Sequence, residues 1–154
     1  MFQKKIILLL LLLLSSCGYE VIYSKKNSSN YVFSISDLGF AGDRTVNLKI
    51  KEKLSAFTQS KKDKDLIIRI SSTSEKIILA KNTAGDATSF KNAISINVDV
   101  LMNDKFKSNF IILESFNYNN ISNKFNLKNY EEEIKNNLAE TASDELIFKL
   151  SNIQ

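Results

Sequence analysis

The chain has 154 residues, and its 21 basic and 17 acidic side chains give a formal charge of +4 at neutral pH. It contains no histidine and one cysteine, which excludes Ser-His-Asp and Cys-His catalysis and zinc sites built from these residues. The near balance of charge argues against a nucleic-acid partner, and we expect no catalytic residue, no metal and no cofactor.

The N-terminal segment has the features of an export signal. Lys4 and Lys5 precede an unbroken apolar run of nine residues, Ile6 to Leu14. A helix needs about 20 apolar residues to span a bilayer, so this run is too short for an ordinary transmembrane anchor. A basic start followed by a short apolar core is typical of a removed signal. We predict that residues 1–16 are a signal peptide; a signal cleaved beside a chance cysteine and an uncleaved short anchor are the alternatives.

The end of this segment predicts lipidation. Leu14-Ser15-Ser16-Cys17-Gly18 resembles the lipobox of bacterial lipoproteins, in which an aliphatic residue and two small residues precede the acylated cysteine. Lipidation also accounts for a lone cysteine in an exported chain, and two or three acyl chains hold a protein firmly on a membrane. Because Gly18 and not an aspartate follows Cys17, we predict an outer-membrane lipoprotein, lipid-anchored on the periplasmic side.

The residues after the anchor are predicted to form a linker and then one domain. Residues 17–30 comprise the lipidated N-terminus and a polar stretch, Ser24 to Asn30, whose composition is typical of a linker. Residues 31–154 suffice for a single domain. Within it, the alternation of Tyr31 to Ile35 predicts a first strand.

A helix is predicted next. Gly39 and Gly42 are expected to break the chain, and Asp43 is a good helix N-cap. From Arg44 to Thr58, apolar residues recur at helical spacing. The members of this stripe are Val46, Ile50, Leu54 and Phe57.

Three further strands and a long closing helix complete the domain. The predicted strands are Leu66–Leu79, Ile94–Met102 and Phe110–Tyr118, connected by Lys81–Lys91 and Asn103-Asp104, and after the loop Asn119–Asn126 the helix is Lys128–Leu150. The apolar stripe of this helix is Tyr130, Ile134, Leu138, Ala142, Leu146 and Leu150. The order β-α-β-β-β-α predicts an α+β fold, a two-layer sandwich of a four-stranded mixed sheet with two helices on one face.

Clustered carboxylates are the remaining candidates for acid–base chemistry. They occur at Glu131–Glu133 and at Asp144-Glu145, both within the predicted closing helix. Negative charge in a first turn complements the helix dipole, and we interpret both groups as solvated helix face. We therefore predict that the chain is not an enzyme, with an envelope hydrolase as the catalytic alternative.

The start of the mature chain resembles a known family. Cys17-Gly18-Tyr19-Glu20-Val21-Ile22-Tyr23 is similar to the start of LPS-assembly lipoproteins of the LptE type, as are the order of elements and the final helical turns, Ala139-x-x-Ala142 and Ile147-x-x-Leu150. The resemblance implies a plug inside an outer-membrane β-barrel of the LptD type, which assists barrel assembly and helps pass lipopolysaccharide (LPS) to the cell surface. The implied partners are the barrel, LPS, and the membrane through the N-terminal acyl chains.

A site for LPS is predicted at the hairpin loop between Lys81 and Lys91. Lysine binds phosphate as a point charge, and Phe90 would meet the acyl chains that lie beside the phosphates of lipid A. Arg69 and Lys76, on the preceding strand, are secondary candidates for the same surface. The alternative is a solvated loop.

A different envelope role is the alternative to the plug. The same features suit an auxiliary lipoprotein of another envelope machine, such as a lipid-transport system or an activator of a peptidoglycan synthase. Such a protein would also need a compact domain and a lipid anchor, so the sequence leaves both roles open.

Overall fold

The structure, a computed structural model, describes residues 32–59 and 61–153. The predicted signal peptide (residues 1–16), the lipidation site Cys17 and the linker up to residue 30 lie outside the described residues. No helix of the described part of the chain is long and apolar enough to cross a membrane.

The first strand, β1, spans Phe33–Gly42 and is longer than the predicted Tyr31 to Ile35. It continues through Gly39, where a Cβ would come within 2.8 Å of the Cδ of Arg69. Gly39 thus makes room for the arginine side chain of the adjacent strand, and the prediction that it breaks the chain is wrong. The strand ends at Gly42, whose φ of +94° lies in the region that glycine adopts readily.

The first helix, α1, spans Arg44–Leu54 and continues into a short 3-10 helix, Ser55–Phe57. As predicted, Asp43 is its N-cap, since its carboxylate accepts a hydrogen bond from the Val46 amide at 3.0 Å. Such a cap satisfies one of the amides that have no partner inside the helix. The predicted apolar stripe is confirmed by the buried side chains of this segment: Val46, Ile50, Leu54 and Phe57.

Three long strands form most of the sheet: β2 (Lys64–Lys81), β3 (Ala87–Met102) and β4 (Lys105–Asn119). They extend beyond the predicted strands because cross-strand pairing continues to their ends, where Lys81 pairs with Ala87. The β2–β3 loop is therefore Asn82–Asp86, and the prediction of a loop from Lys81 to Lys91 is too long.

The second hairpin turn is as predicted. Asn103 and Asp104 connect β3 to β4 and have φ values of +53° and +60°. Positive φ at both central residues is required by the two-residue hairpin turn whose twist matches that of the flanking strands, and Asn and Asp tolerate it well.

The sheet has the order β1-β2-β3-β4. Strand β1 pairs with β2 in parallel, because α1 forms the crossover between them, whereas the other pairs are antiparallel. The predicted α+β fold with a four-stranded mixed sheet is confirmed.

The closing helix, α2, spans Lys124–Ser151 and begins four residues before the predicted Lys128. Asn123 is its N-cap and accepts hydrogen bonds from the amides of Phe125 and Asn126, both at 3.0 Å. Most of the predicted stripe is buried in the core shared with α1 and the sheet: Ile134, Leu138, Ala142, Leu146 and Leu150.

The two faces of the sheet differ in chemistry. On β3, the buried residues alternate strictly and pack beneath the helices: Ile94, Ile96, Val98 and Val100. The intervening residues belong to the face that the helices leave open: Ala93, Ser95, Asn97 and Asp99. The open face is therefore polar along β3, whereas on β4 it also carries the exposed Ile111 and Leu113, which pair with Asn97 and Ser95. The core lies between sheet and helices.

Candidate functional site

The candidate LPS site lies at the closed end of the β2–β3 hairpin. The loop Asn82–Asp86 is tied by a backbone bond from the Asn82 amide to the Asp86 carbonyl at 2.9 Å and by one from the Asp86 amide to the Asn82 side chain at 2.8 Å. Gly85 supplies a positive φ of +91° within it. The hairpin end is therefore a tight turn on two paired strands, and Lys81 is the exposed last residue of β2.

Phe90 is not on the loop. It lies on β3 opposite Ile78 and is 7% exposed, with its ring 5.6 Å from that of Tyr118. The prediction that places Phe90 on an exposed loop is wrong, because β4 and α2 continue far enough to cover this part of β3.

Lys76 and Lys91 lie on opposite faces of the sheet. Lys76 is on the covered face, where its ammonium is 4.0 Å from the centroid of the Phe90 ring and forms an ion pair with Glu131 of α2. Lys91 is on β3 opposite Ile77, between two buried residues, and so points to the open face. The two lysines therefore flank the hairpin and do not form one cluster.

Arg69 does not belong to this end of the molecule. Its guanidinium forms a 2.6 Å ion pair with Asp37 of β1, and this hydrogen bond and the arginine charge lower the pKa of Asp37. Lys76 lies seven positions after Arg69 on the same strand, a distance of about 23 Å. Arg69 therefore serves the pairing of β1 with β2.

A polar network fixes the base of the hairpin against α2. The Tyr118 hydroxyl donates to Glu131 Oε1 at 2.9 Å and lies 3.3 Å from the Asn92 side-chain oxygen. Burial, together with the hydrogen bond to Glu131 and its charge, raises the pKa of Tyr118. The Glu131 carboxylate thus has two partners, Lys76 and Tyr118, and holds the hairpin to the helix.

An open cleft of about 360 Å³ lies beside this network, between the two strands and α2. Its charged lining residues carry both signs: Glu75, Lys76, Lys128, Glu131, Glu132 and Lys135. Two of the lysines are already paired, Lys76 with Glu131 and Lys135 with Asp43. The arrangement is that of a structural ion-pair cluster.

The carboxylates considered for acid–base chemistry are distributed along α2. Asp144 pairs with Lys53 of α1 at 3.2 Å, and Glu145 pairs with Lys149 at 3.3 Å. Within residues 32–59 and 61–153, no group of three or more acidic side chains is placed to hold a metal ion.

The exposed aliphatic side chains of the hairpin were not predicted from the sequence. Ile77, Ile78 and Leu79 are consecutive and are 37%, 50% and 47% exposed. Ile77 pairs with Lys91 on the open face and Ile78 with Phe90 on the covered face. Leu79 lies at a register shift between Ile78 and Ala80, where the alternation is interrupted. The signal in the sequence is the uninterrupted run itself, because a strand with one polar face does not continue with three aliphatic residues in a row.

No protein-family model matches the sequence, and no curated protein matches it significantly. Solved structures do match the fold. Rare lipoprotein B from Shewanella oneidensis superposes with a TM-score of 0.58 at 14% identity, over 75% of this chain and 93% of that one.

Two further lipoproteins have the same fold. Uncharacterized lipoprotein B from Nitrosomonas europaea gives a TM-score of 0.58 at 16% identity, over 79% of this chain and 87% of that one. A minor lipoprotein from Acinetobacter baumannii gives 0.56 at 11% identity, over 79% and 91%. The chain thus has the fold of these three lipoproteins.

Proposed function

We propose that the chain is an outer-membrane lipoprotein, anchored through Cys17, that acts as plug and assembly partner of an LPS-translocating β-barrel of the LptD type. The observation that carries the proposal is the fold shared with rare lipoprotein B over 93% of that chain. The lipobox at Cys17 and the LptE-like run that follows it in the sequence support the same role.

The dimensions of the domain suit a plug. Strand β2 has 18 residues and is therefore about 60 Å long, which exceeds the roughly 25 Å apolar band of an outer-membrane barrel. The open face of the sheet carries polar residues on β3, among them Ser95 and Asn97, beside the exposed Ile111 and Leu113 of β4. The lumen of a large barrel is polar as well, so the polar part of this face, on β3, can pack against it.

The hairpin end supplies a surface that fits LPS. Ile77, Ile78 and Leu79 are exposed there, and Lys81 and Lys91 lie beside them in the paired strands. Lipid A presents phosphates next to acyl chains, so it requires cations next to apolar groups. In this arrangement the aliphatic run provides the apolar contact predicted for Phe90. Phe90 instead packs under the Lys76 ammonium, which pairs with Glu131 of α2.

Two measurements test the role. The full-length lipoprotein, purified from envelopes through a C-terminal tag, is expected to bring down an outer-membrane barrel protein. Depletion of the lipoprotein is expected to reduce both correctly assembled barrel and surface LPS, and complementation with the wild-type chain is expected to restore both.

The same experiment separates the two roles that the sequence leaves open. Normal barrel levels and normal surface LPS after complete depletion would contradict the plug. Co-purification of lipid-transport or peptidoglycan-synthase components in that case would favour the auxiliary lipoprotein.

A further inference from the structure

The end of the sheet opposite the hairpin is where the chain enters the described domain. We call this the entry end and define it by Val32, Lys64, Phe106, Lys107, Phe148 and Lys149. Three register pairs bring the strand termini together there: Phe33 with Lys64, Leu66 with Met102, and Met102 with Lys105. The C-terminus of α2 joins them, because the Lys64 ammonium donates to the carbonyl oxygen of Ile153.

Large apolar side chains are exposed at the entry end. Val32, Phe106 and Phe148 are 74%, 65% and 68% exposed; Val32 directly precedes β1, Phe106 is on β4 and Phe148 is on α2. A groove of about 380 Å³ runs between β4 and α2, with Phe110, Phe148 and Ile153 among its lining residues and Lys107 and Lys149 among its polar ones. Phe110, Phe148 and Ile153 thus share one groove with Lys107 and Lys149.

The charge of the entry end is positive on balance. No carboxylate of the described residues forms an ion pair with Lys107, whereas Lys149 pairs with Glu145 and lies 5.6 Å from the Phe110 ring centroid. In and beside the entry end, lysines outnumber acidic residues by six to four. The lysines are Lys61, Lys62, Lys64, Lys105, Lys107 and Lys149, and the acidic residues are Asp63, Asp65, Asp104 and Glu145. Burial and the nearby charge of Lys107 lower the pKa of Lys64, so two of these cations repel each other.

We propose that the entry end rests on the anionic phospholipid headgroups of the membrane leaflet that holds the acyl anchor. Exposed phenylalanines can insert at the boundary between headgroups and acyl chains, and lysines near a membrane surface are attracted to anionic lipids. The groove between Phe148 and Lys107 accommodates a phosphodiester beside an apolar wall. This contact is independent of the barrel partner.

The tether explains why this end meets the membrane. Val32 lies fifteen positions after Cys17, and the chain between them reaches at most about 50 Å when fully extended. Because β2 is about 60 Å long, the hairpin lies at the far end of the domain, whereas the entry end is where the tether attaches. A tether of this length therefore favours the entry end over the hairpin as the surface that meets the membrane.

The absence of tryptophan from the chain permits a direct test in the lipidated full-length protein. Phe148→Trp places one fluorophore on the entry end, and Phe125→Trp, at an equally exposed phenylalanine at the other end of α2, is the matched control. Both variants are inserted into vesicles of phosphatidylethanolamine with phosphatidylglycerol, and into vesicles of phosphatidylcholine alone. Emission wavelength and quenching by brominated lipids are measured in each.

In anionic vesicles, the Phe148→Trp variant is expected to emit at shorter wavelength and to be quenched, and the control is not. Both signals should decline in phosphatidylcholine and at high salt. Adding Lys105→Glu and Lys107→Glu should remove them, whereas Lys81→Glu at the hairpin should not. Phe106→Trp provides a second probe of the same end if the first variant melts at lower temperature than wild type.

Three results would overturn the proposal. They are equal quenching at positions 148 and 125, no quenching at positions 148 and 106, and equal quenching in both kinds of vesicle. The first would show a domain without a preferred orientation, the second a domain held away from the leaflet, and the third a contact that does not use the lysines.

Discussion

The ammonium of Lys135 on α2 lies 3.1 Å from the carboxylate of Asp43, the residue that caps α1. The same carboxylate accepts hydrogen bonds from the Ser74 hydroxyl at 2.5 Å and from the Val46 amide. Burial alone would raise the pKa of Asp43, but these bonds and the lysine charge outweigh it and lower the pKa to about 2. One side chain therefore joins both helices to the sheet.

The first prediction is a pH dependence of stability that depends on Asp43. Because its pKa is lower in the folded protein, its charge stabilises the fold above the unfolded pKa of about 3.9, and this contribution is lost as pH falls toward 2. We expect the Asp43 charge to contribute about 2 kcal/mol to the free energy of unfolding at neutral pH. Urea unfolding of the wild type and of Asp43→Asn, repeated from neutral to acid pH, measures this contribution. Asparagine keeps the cap and removes the charge.

The difference between these two proteins should shrink toward zero at the acid end. Asp43→Ala should cost about 1 kcal/mol more than Asp43→Asn at every pH, because alanine also removes the cap. A wild-type-to-Asn difference that stays constant with pH would contradict the assigned pKa.

The second prediction compares two glycines with nearly the same backbone angle. Gly42 and Gly85 have φ values of +94° and +91°, but a Cβ at Gly42 would lie 1.9 Å from the Ser72 carbonyl oxygen, and one at Gly85 would contact nothing within 4 Å. Gly85→Ala should cost about 1 kcal/mol, the backbone penalty alone. Gly42→Ala should cost more by several kcal/mol, because the strands must separate. Equal melting temperatures of the two variants would contradict the close pairing of β1 with β2.

The third prediction concerns LPS binding at the hairpin. Lys81→Glu with Lys91→Glu should weaken binding of the protein to LPS and reduce its salt dependence, with little change in melting temperature, because neither lysine forms an ion pair within the described residues. Ile77→Ser with Leu79→Ser should weaken binding without changing its salt dependence. A control with the same charge change away from the hairpin is Arg44→Glu with Lys51→Glu, both exposed on α1. Unchanged LPS binding in a well-folded Lys81/Lys91 variant would remove the hairpin from the proposed function.

The fourth prediction concerns the anchor. Cys17→Ser should abolish acylation and leave an uncleaved or soluble periplasmic form, because serine lacks the thiol that accepts the diacylglycerol. Metabolic labelling with a fatty-acid analogue measures this, with Ser15→Ala as a conservative change in the same segment that should retain the label. Label that persists in the serine variant would contradict the lipobox.

The candidate site was only partly predictable. Lys81 and Lys91 lie at the hairpin because the turn between two strands is marked locally by Gly85 and its polar neighbours. The cover of Phe90 by Tyr118 was not predictable, since residues 90 and 118 meet only through the register of β3 with β4. Arg69 was misplaced for a similar reason: its partner, Asp37, is 32 residues away in the chain.

The sequence by itself determined the order of elements, the apolar stripes of both helices, the Asp43 cap and the Asn103-Asp104 turn, because each depends on side chains within a few positions of one another. Only the tertiary structure decided where the strands end, why Gly39 belongs inside β1, and which apolar residues of the hairpin are exposed. These depend on pairing between strands, in which each residue's environment is set by a partner that local periodicity does not identify.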